Sequence, residues 1–340
     1  MLTASCTVGS PPRRATPQVT VTGATPAPLA PGAGAPSMAP VRRDPVTAAQ
    51  AEQILDRYSR VNASANAAFD AALLGTVEGG ALYDLSRAGY RQRTTMTPAE
   101  LAANREGFEY VERAFYLPAN TTWFAVTARA KDRSGTSAEK VLVIVDRDAN
   151  NAWKVVASAW IAEADLPRIA VVAGRPVAVQ DTAAVRGLLA PDALPAAFAD
   201  LYATGGSGPG KVFADTPAAA QARAVPEAQN KVLAPDGTAA YTPGTTAHRT
   251  VYALQTADGG TLAVFNTAVR EDDRGTRPDA TLYPSPAMAA FTGNLGASAF
   301  RVDYLHQSAA YLPPQGQAKL IATRQRIIAV QSPQPADVTS

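Results

Sequence analysis

The chain has 340 residues, and 46% of them are hydrophobic, which is enough for a sizeable core. Its 31 basic and 29 acidic residues are interspersed, with a formal net charge of +2, so no dense basic region indicates nucleic-acid binding. One cysteine excludes an intramolecular disulfide framework, and two histidines provide no zinc pattern of usual spacing, so we expect neither a metal nor another cofactor.

The first seven residues place small side chains directly before Cys6. This arrangement resembles the end of a bacterial lipoprotein signal, in which the cysteine is diacylated and becomes the mature N-terminus after cleavage. The charged and apolar parts of such a signal are missing from the sequence as written, and Leu2 stands one position earlier than in the usual pattern. We therefore expect the true start codon to lie upstream. The alternative is a free cysteine near a disordered terminus.

Residues up to 43 are mainly Pro, Ala, Gly, Thr and Ser, with few large apolar side chains. Such a composition cannot bury enough surface to offset the entropy of ordering, so residues 1–43 are predicted to be a lipid-attachment signal followed by a disordered tether. A cysteine with two or three acyl chains, palmitate among them, anchors stably. The prediction places the protein on the outer face of the cytoplasmic membrane, with the membrane as partner.

Residues 44–164 are predicted to form a first α+β domain. Residues 44–47 have the composition of a helix start, and apolar residues recur at helical spacing from Ile54 to Phe69. Shorter helices are expected between residues 72 and 91. Four segments rich in β-branched and aromatic residues then follow, at 108–117, 122–130, 140–146 and 153–160. Consecutive strands predict a curved antiparallel meander sheet with the helices on one face.

The order of elements over about residues 46–162 resembles the cystatin-like cone of the nuclear-transport-factor-2-like superfamily. In that fold a long first helix lies across a strongly bent sheet, and the open end forms a pocket. The segments 62–66, 76–83, 123–129 and 153–158 also look like an uncharacterised family of actinobacterial lipoproteins. The first resemblance implies a pocket and the second a surface location; neither implies an established activity.

The second half, residues 165–331, repeats the order of helices followed by strands. Helices are predicted near 192–202 and 218–230, and strands at 241–242, 249–256, 260–270, 300–312 and 317–330. Residues 251–257 echo 123–129, and 260–265 echo 140–145, which favours two tandem cystatin-like cones. The mixed-charge run at 270–274 is expected to be a solvated loop. Residues 332–340 are expected to form a disordered tail.

Four aromatic residues are candidates to line a pocket for a small apolar ligand: Tyr58, Tyr83, Trp123 and Trp160. The simpler interpretation is that they belong to the core. His248 and His306, the two imidazoles, are the candidates for acid–base chemistry near neutral pH, although a structural role with one hydrogen bond is the simpler interpretation. No serine lies in a recognisable nucleophile motif.

Three functions remain open at this point. The first is a non-catalytic binding or interaction module of the cell envelope, which holds a small apolar ligand or an envelope protein. The second is an isomerase or hydrolase of the cone superfamily that acts on a small hydrophobic substrate through His306 or His248. The third is a structural role within a larger envelope assembly. We favour the first, because the sequence lacks a catalytic motif.

Overall fold

The computed structural model describes residues 46–332. The α+β prediction is confirmed, because the described chain contains seven α-helices and three antiparallel sheets. These residues belong to one compact unit. The predicted lipid attachment at Cys6, the predicted tether and nearly all of the predicted C-terminal tail lie outside the described residues.

The first helix begins where the sequence predicts. Thr47 caps it: its side chain accepts a hydrogen bond from the Gln50 N–H, and the Gln50 side chain accepts one from the Thr47 N–H. The helices are α1 Ala48–Ala68, α2 Ala71–Leu74, α3 Gly80–Gln92, α4 Pro98–Arg105, α5 Leu194–Thr204, α6 Pro217–Leu233 and α7 Pro286–Thr292. Sequence periodicity did not predict α4 or α7, which are short and carry few buried residues.

The first sheet is the predicted antiparallel meander. Its strands are β1 Glu109–Tyr116, β2 Trp123–Asp132, β3 Gly135–Thr136, β4 Lys140–Arg147 and β5 Trp153–Ile161. They are arranged in the order β1-β2-β4-β5, and β3 pairs with β2. Strand β5 therefore forms one edge of the sheet.

The second half contains a two-stranded hairpin and a second large sheet. The strands are β6 Val171–Val172, β7 Arg175–Pro176, β8 Gly237–Pro243, β9 Tyr252–Gln255, β10 Thr261–Gly275, β11 Ala299–Leu312 and β12 Lys319–Gln331. The large sheet has the order β12-β11-β10-β8, and β9 also pairs with β10. The prediction of a solvated loop at residues 270–274 is wrong, because β10 continues to Gly275. This part of the strand buries Glu271 and Asp273, which alternate with exposed or half-buried neighbours.

The two large sheets pack against each other through one face of each. This inter-sheet layer contains mainly aliphatic side chains of both sheets: Ala125, Leu142, Ile144, Ala157, Ala159, Ile161, Tyr252, Leu254, Leu262, Val264, Ala309 and Ala322. The other face of the first sheet packs against α1, and that of the second sheet packs against α5 and α6. Residues 141–145 are therefore buried whichever way they point, which explains their unbroken apolar run. The comparison with two cones and the division at residue 164 stay predictions.

Candidate ligand pocket

A cavity of about 390 Å³ lies where helices and strands of the first half meet β12 of the second half. This volume falls within the range of roughly 300–1,000 Å³ of small-molecule sites. Its walls come from α1, α3, α4, β1, β5 and β12. The lining residues are Tyr58, Asn62, Asn66, Glu78, Leu82, Ser86, Gly89, Tyr90, Asn104, Phe108, Tyr110, Ser158, Trp160, Arg324, Gln325 and Arg326. Most of these side chains are polar or aromatic.

Glu78 is the most deeply buried charged group of the pocket, with 3% of its surface exposed. The backbone on either side of it is fixed by two hydrogen bonds to β5: the Gly79 N–H donates to the Val155 C=O, and the Val155 N–H donates to the Val77 C=O. These bonds fix Glu78 beside the first sheet. Its position between α2 and α3 is therefore set by backbone pairing with β5.

One carboxylate oxygen of Glu78 is hydrogen-bonded and the other is not. Oε1 accepts from the Tyr58 hydroxyl at 3.0 Å and from Asn62 Nδ2 at 3.3 Å. Oε2 is buried without a hydrogen-bond partner of good geometry among the described residues, although the nearby Ser86 hydroxyl acts to lower the pKa of the same carboxyl. Burial raises the pKa of Glu78 to about 7, although hydrogen bonds and the charge of Arg324 act in the opposite direction. Both protonation states are therefore populated near neutral pH.

A chain of side-chain hydrogen bonds extends from Glu78 along α1 to α3. Asn66 Nδ2 donates to Asn62 Oδ1 at 2.9 Å, and the Tyr90 hydroxyl donates to Asn66 Oδ1 at 2.5 Å. The spacing of residues 58, 62 and 66 places them on one face of α1, because four residues make about one helical turn. One wall of the pocket is therefore a preorganised polar surface.

Arg324 and Arg326 of β12 also line the pocket. They stand two positions apart in β12, so their side chains share one face of the strand. Arg324 Nη1 donates to Ser158 Oγ at 3.2 Å, and Arg326 Nη1 donates to Gln92 Oε1 at 3.1 Å. The second half thus contributes both cationic groups of a pocket whose acidic group comes from the first half.

Comparisons with known proteins agree with the lipoprotein resemblance seen in the sequence. The family model described as "Domain of unknown function (DUF8094)" matches residues 43–332, which include all the described residues. The chain belongs to this family. It is also 29% identical over 294 residues to an uncharacterised lipoprotein of Streptomyces coelicolor, and the match covers 83% of this chain and 81% of the relative. No solved structure matches.

The four predicted pocket aromatics separate into two groups in this family member. Tyr58 and Trp160 line the pocket. Tyr83 instead donates a hydrogen bond to the Ala71 C=O at 3.1 Å, beside α2. Trp123 borders the inter-sheet layer, where its ring lies edge-on to Tyr252 with 5.4 Å between centroids. The structure therefore brings together two of the four candidates.

Neither predicted histidine lines this pocket. His306 is 1% exposed and packs against the rings of Phe198 and Tyr202, while its Nε2 lacks a partner among the described residues. Burial lowers the pKa of His306 to about 3, so it is neutral at physiological pH. His248 is partly exposed, and its Nε2 lies 2.7 Å from Asp84 Oδ2 on α3. This pair links the two halves at the surface.

A second group of buried acids lies on β10, away from the pocket. Glu271 and Asp273 are 1% and 2% exposed, and each has one oxygen without a partner among the described residues. Burial and the charge of Glu271 raise the pKa of Asp273 well above its usual range. Burial and the same charge also raise the pKa values of Tyr241 and Tyr304. Burial and repulsion from Glu271 thus both favour the protonated form of the Asp273 carboxyl.

Sequence reasoning missed Glu78, Arg324 and Arg326. A usable signal was present for the arginines, because charged residues at alternate positions of an otherwise apolar strand indicate a polar inner face. Glu78 gave no such signal, since its burial depends on contacts between α1, the segment before α3 and β5.

Among the described residues, no group of three or more His, Cys, Asp or Glu side chains is arranged to hold a metal. No helix in this part of the chain is long and apolar enough to cross a membrane.

Proposed function

We propose that the chain is a lipid-anchored binding protein of the cell envelope that holds a small polar ligand in the pocket described above. The observation that carries this proposal is the free Oε2 atom of Glu78. A buried polar atom without a partner is costly, so it is expected to bind something that enters the cavity. The polar lining favours a polar ligand over the apolar ligand expected from the sequence.

The pocket itself is tested by a blocking substitution with a matched control. Ser86 lines the cavity from α3, whereas Ser64 on α1 is exposed and does not line it. Ligand-observed NMR with a mixture of neutral sugars, amino acids and hydroxy acids is expected to detect binding to the unsubstituted chain and to Ser64→Phe. Ser86→Phe is expected to abolish that binding without loss of helical circular dichroism. Equal binding by both variants would exclude this pocket.

The lipid anchor is supported by the position of Cys6 and by the lipoprotein name of the Streptomyces relative. Expression from an extended reading frame in an actinobacterial host is expected to place the protein in the membrane fraction. Intact mass should show a chain that begins at Cys6 and carries a diacylglycerol increment. Cys6→Ser is expected to remove both the increment and the membrane association. An unmodified soluble product from the unsubstituted gene would contradict the anchor.

One observation favours a second candidate function, an enzyme that uses general acid–base chemistry. The pKa of Glu78, raised by burial to about 7, is suited to proton transfer at neutral pH. In such an enzyme Glu78 would have the acid–base role that the sequence analysis assigned to His306 or His248. Glu78→Gln separates the two functions. If Glu78 is an acid–base catalyst, Glu78→Gln is expected to abolish turnover of a ligand found in the NMR mixture. If that ligand is unchanged after long incubation with the unsubstituted chain, the result supports binding alone.

A further inference from the structure

We propose that the ligand of this pocket is a hydroxylated anion, whose carboxylate or phosphate binds between Arg324 and Arg326 and whose hydroxyl groups bind Glu78 and its neighbours. This inference rests on the proposed function and specifies its ligand class. Of the charged side chains that line the pocket, two are arginine and one is glutamate. The lining thus carries an excess of positive charge.

Both guanidinium groups have unused capacity for an anion. Each of the hydrogen bonds described above goes to a neutral oxygen, of Ser158 or of Gln92. None of the ion pairs among the described residues includes Arg324 or Arg326. A guanidinium has five N–H donors in a planar fork that matches carboxylate and phosphate groups. A bound anion would satisfy donors that the protein leaves open.

Both arginines are also half-buried, which removes part of their hydration. Burial lowers the pKa of Arg324 and of Arg326 from their usual values, which is the effect of removing water from a charged group. A buried charge without an opposite charge is unfavourable, and a bound anion would offset that cost. Glu78 offsets only part of this cost: its charge acts to raise the pKa of Arg324, but it forms no ion pair within 4 Å with either arginine, and its own burial favours the neutral carboxyl.

The position of the Arg326 guanidinium depends on a glycine. A Cβ atom added at Gly89 on α3 would lie 3.1 Å from Arg326 Nε and 3.2 Å from its Cζ. The guanidinium therefore lies directly on the helix backbone at a point where no side chain intervenes. Glycine within a helix is less favourable than alanine. Its presence here is explained by the space that Arg326 occupies.

The remaining lining suits a ligand with several hydroxyl groups. Glu78 Oε2 is an open acceptor, and Asn62, which donates to Oε1, is joined to Asn66 by a side-chain hydrogen bond. Two aromatic side chains of the pocket, Phe108 and Trp160, offer flat apolar faces, and Trp160 is 43% exposed. Hydrogen-bonding groups beside flat aromatic faces are suited to the polar edge and the apolar face of a sugar ring. An acidic sugar or a sugar phosphate combines both features.

The test uses four probes that share one ring: glucose, glucosamine, glucuronate and glucose 6-phosphate. Binding to the full chain is measured by isothermal titration calorimetry at pH 7. The neutral and cationic sugars are expected to bind more weakly than at least one of the two anions, by about tenfold or more. Comparison of glucuronate with glucose 6-phosphate then distinguishes a carboxylate site from a phosphate site.

Three variants and one control identify the groups responsible. Arg324→Gln and Arg326→Gln are each expected to reduce the preference for an anion by about tenfold. Gly89→Ala retains both arginines but requires the Arg326 guanidinium to shift by a few tenths of an ångström, so it is expected to weaken anion binding even though alanine favours the helix. Arg301→Gln is the control, because it removes the same charge from an exposed arginine on β11 that pairs with Asp272. It is expected to leave binding unchanged.

Each outcome decides the inference. Preferential binding of an anion that depends on Arg324 or Arg326 supports it. Equal binding of glucose and the anions, or a preference for glucosamine, overturns it while leaving the proposed polar-ligand function intact. Failure of all four probes overturns the assignment of a sugar-like anion, and the NMR mixture described above then separately decides whether the pocket binds any polar molecule. Circular dichroism shows whether a variant that loses binding is folded.

Discussion

The side chain of Gln307 on β11 pairs with the backbone of Ser158 on β5 as an adjacent strand would. Gln307 Oε1 accepts from the Ser158 N–H at 2.8 Å, and its Nε2 donates to the Val156 C=O at 3.1 Å. Strand β5 is an edge strand, so these backbone groups have no neighbouring strand in their own sheet. The side-chain amide satisfies them and fixes the first sheet against the second.

We expect Gln307→Leu to destabilise the protein strongly. The substitution leaves a backbone donor and a backbone acceptor unpaired next to the inter-sheet layer, at a cost of about 2–4 kcal/mol in the free energy of unfolding. Urea denaturation monitored by circular dichroism measures this change. Gln53→Leu, at an exposed position of α1, is the control and should change stability by less than about 0.5 kcal/mol. Equal effects of the two substitutions would contradict the role of Gln307.

Glu78 is expected to make the protein less stable as the pH rises from about 4.5 to 7. The pKa of its carboxyl is about 7 in the folded chain against 4.5 normally, so over this range the folded state holds a proton that the unfolded state has lost. The loss reaches about 3 kcal/mol above pH 7. The Glu78→Gln variant should lack this pH-dependent loss of stability. The free energies of unfolding of both proteins at pH 5 and pH 8 provide the test, and parallel pH profiles would show that Glu78 does not titrate as described.

Asp273→Asn is expected to stabilise the protein at alkaline pH. Burial and the neighbouring Glu271 raise the pKa of Asp273, so the folded state retains its proton above the unfolded value of about 3.9 and stability falls as the pH rises. The asparagine amide cannot ionise, so the variant loses no stability through deprotonation at this position. Thermal unfolding at pH 6 and pH 9 should show a smaller decrease in Tm for the variant. Asp272→Asn, at the half-buried neighbouring position, serves as the comparison and should retain the decrease.

His306 is expected to limit stability on the acid side. Burial lowers its pKa to about 3, so the unfolded chain binds a proton below pH 6.5 that the folded chain does not accept. Stability should fall with decreasing pH, by about 2–3 kcal/mol at pH 4.5. His306→Leu removes this dependence and a buried nitrogen that lacks a partner in the described structure. Chemical denaturation at pH 4.5 and pH 7.5 measures this loss of stability in both proteins. An equal loss in His306→Leu would contradict the role of His306.

Much of the fold was predictable because its signals are local. The cap at Thr47 indicated the start of α1, and dense β-branched segments predicted most strands of the two large sheets within a few residues, whereas β3 and most of β8 were missed. The extension of β10 was missed because Glu271 and Asp273 are acidic, and acidic residues normally mark solvent. Their burial depends on neighbours from other strands and helices, which periodicity does not show.

The candidate site was predictable only in part for the same reason. Tyr58 and Trp160 were identified as aromatic wall residues from their type alone. Arg324 lies 246 positions beyond Glu78 along the printed numbering, and nothing in either segment indicates that both line one cavity. Their proximity follows from the packing of the two sheets, a long-range arrangement that a single sequence does not encode in any local pattern.

The inter-sheet layer has a consequence for how the protein denatures. A fragment that ends near residue 164 would expose Leu142, Ile144 and Ile161 to water on a whole sheet face, and the remaining fragment would expose the complementary face. Neither fragment is expected to stay monomeric. Calorimetry of the intact chain should accordingly show a single cooperative heat-absorption peak, with the two halves melting together at one temperature.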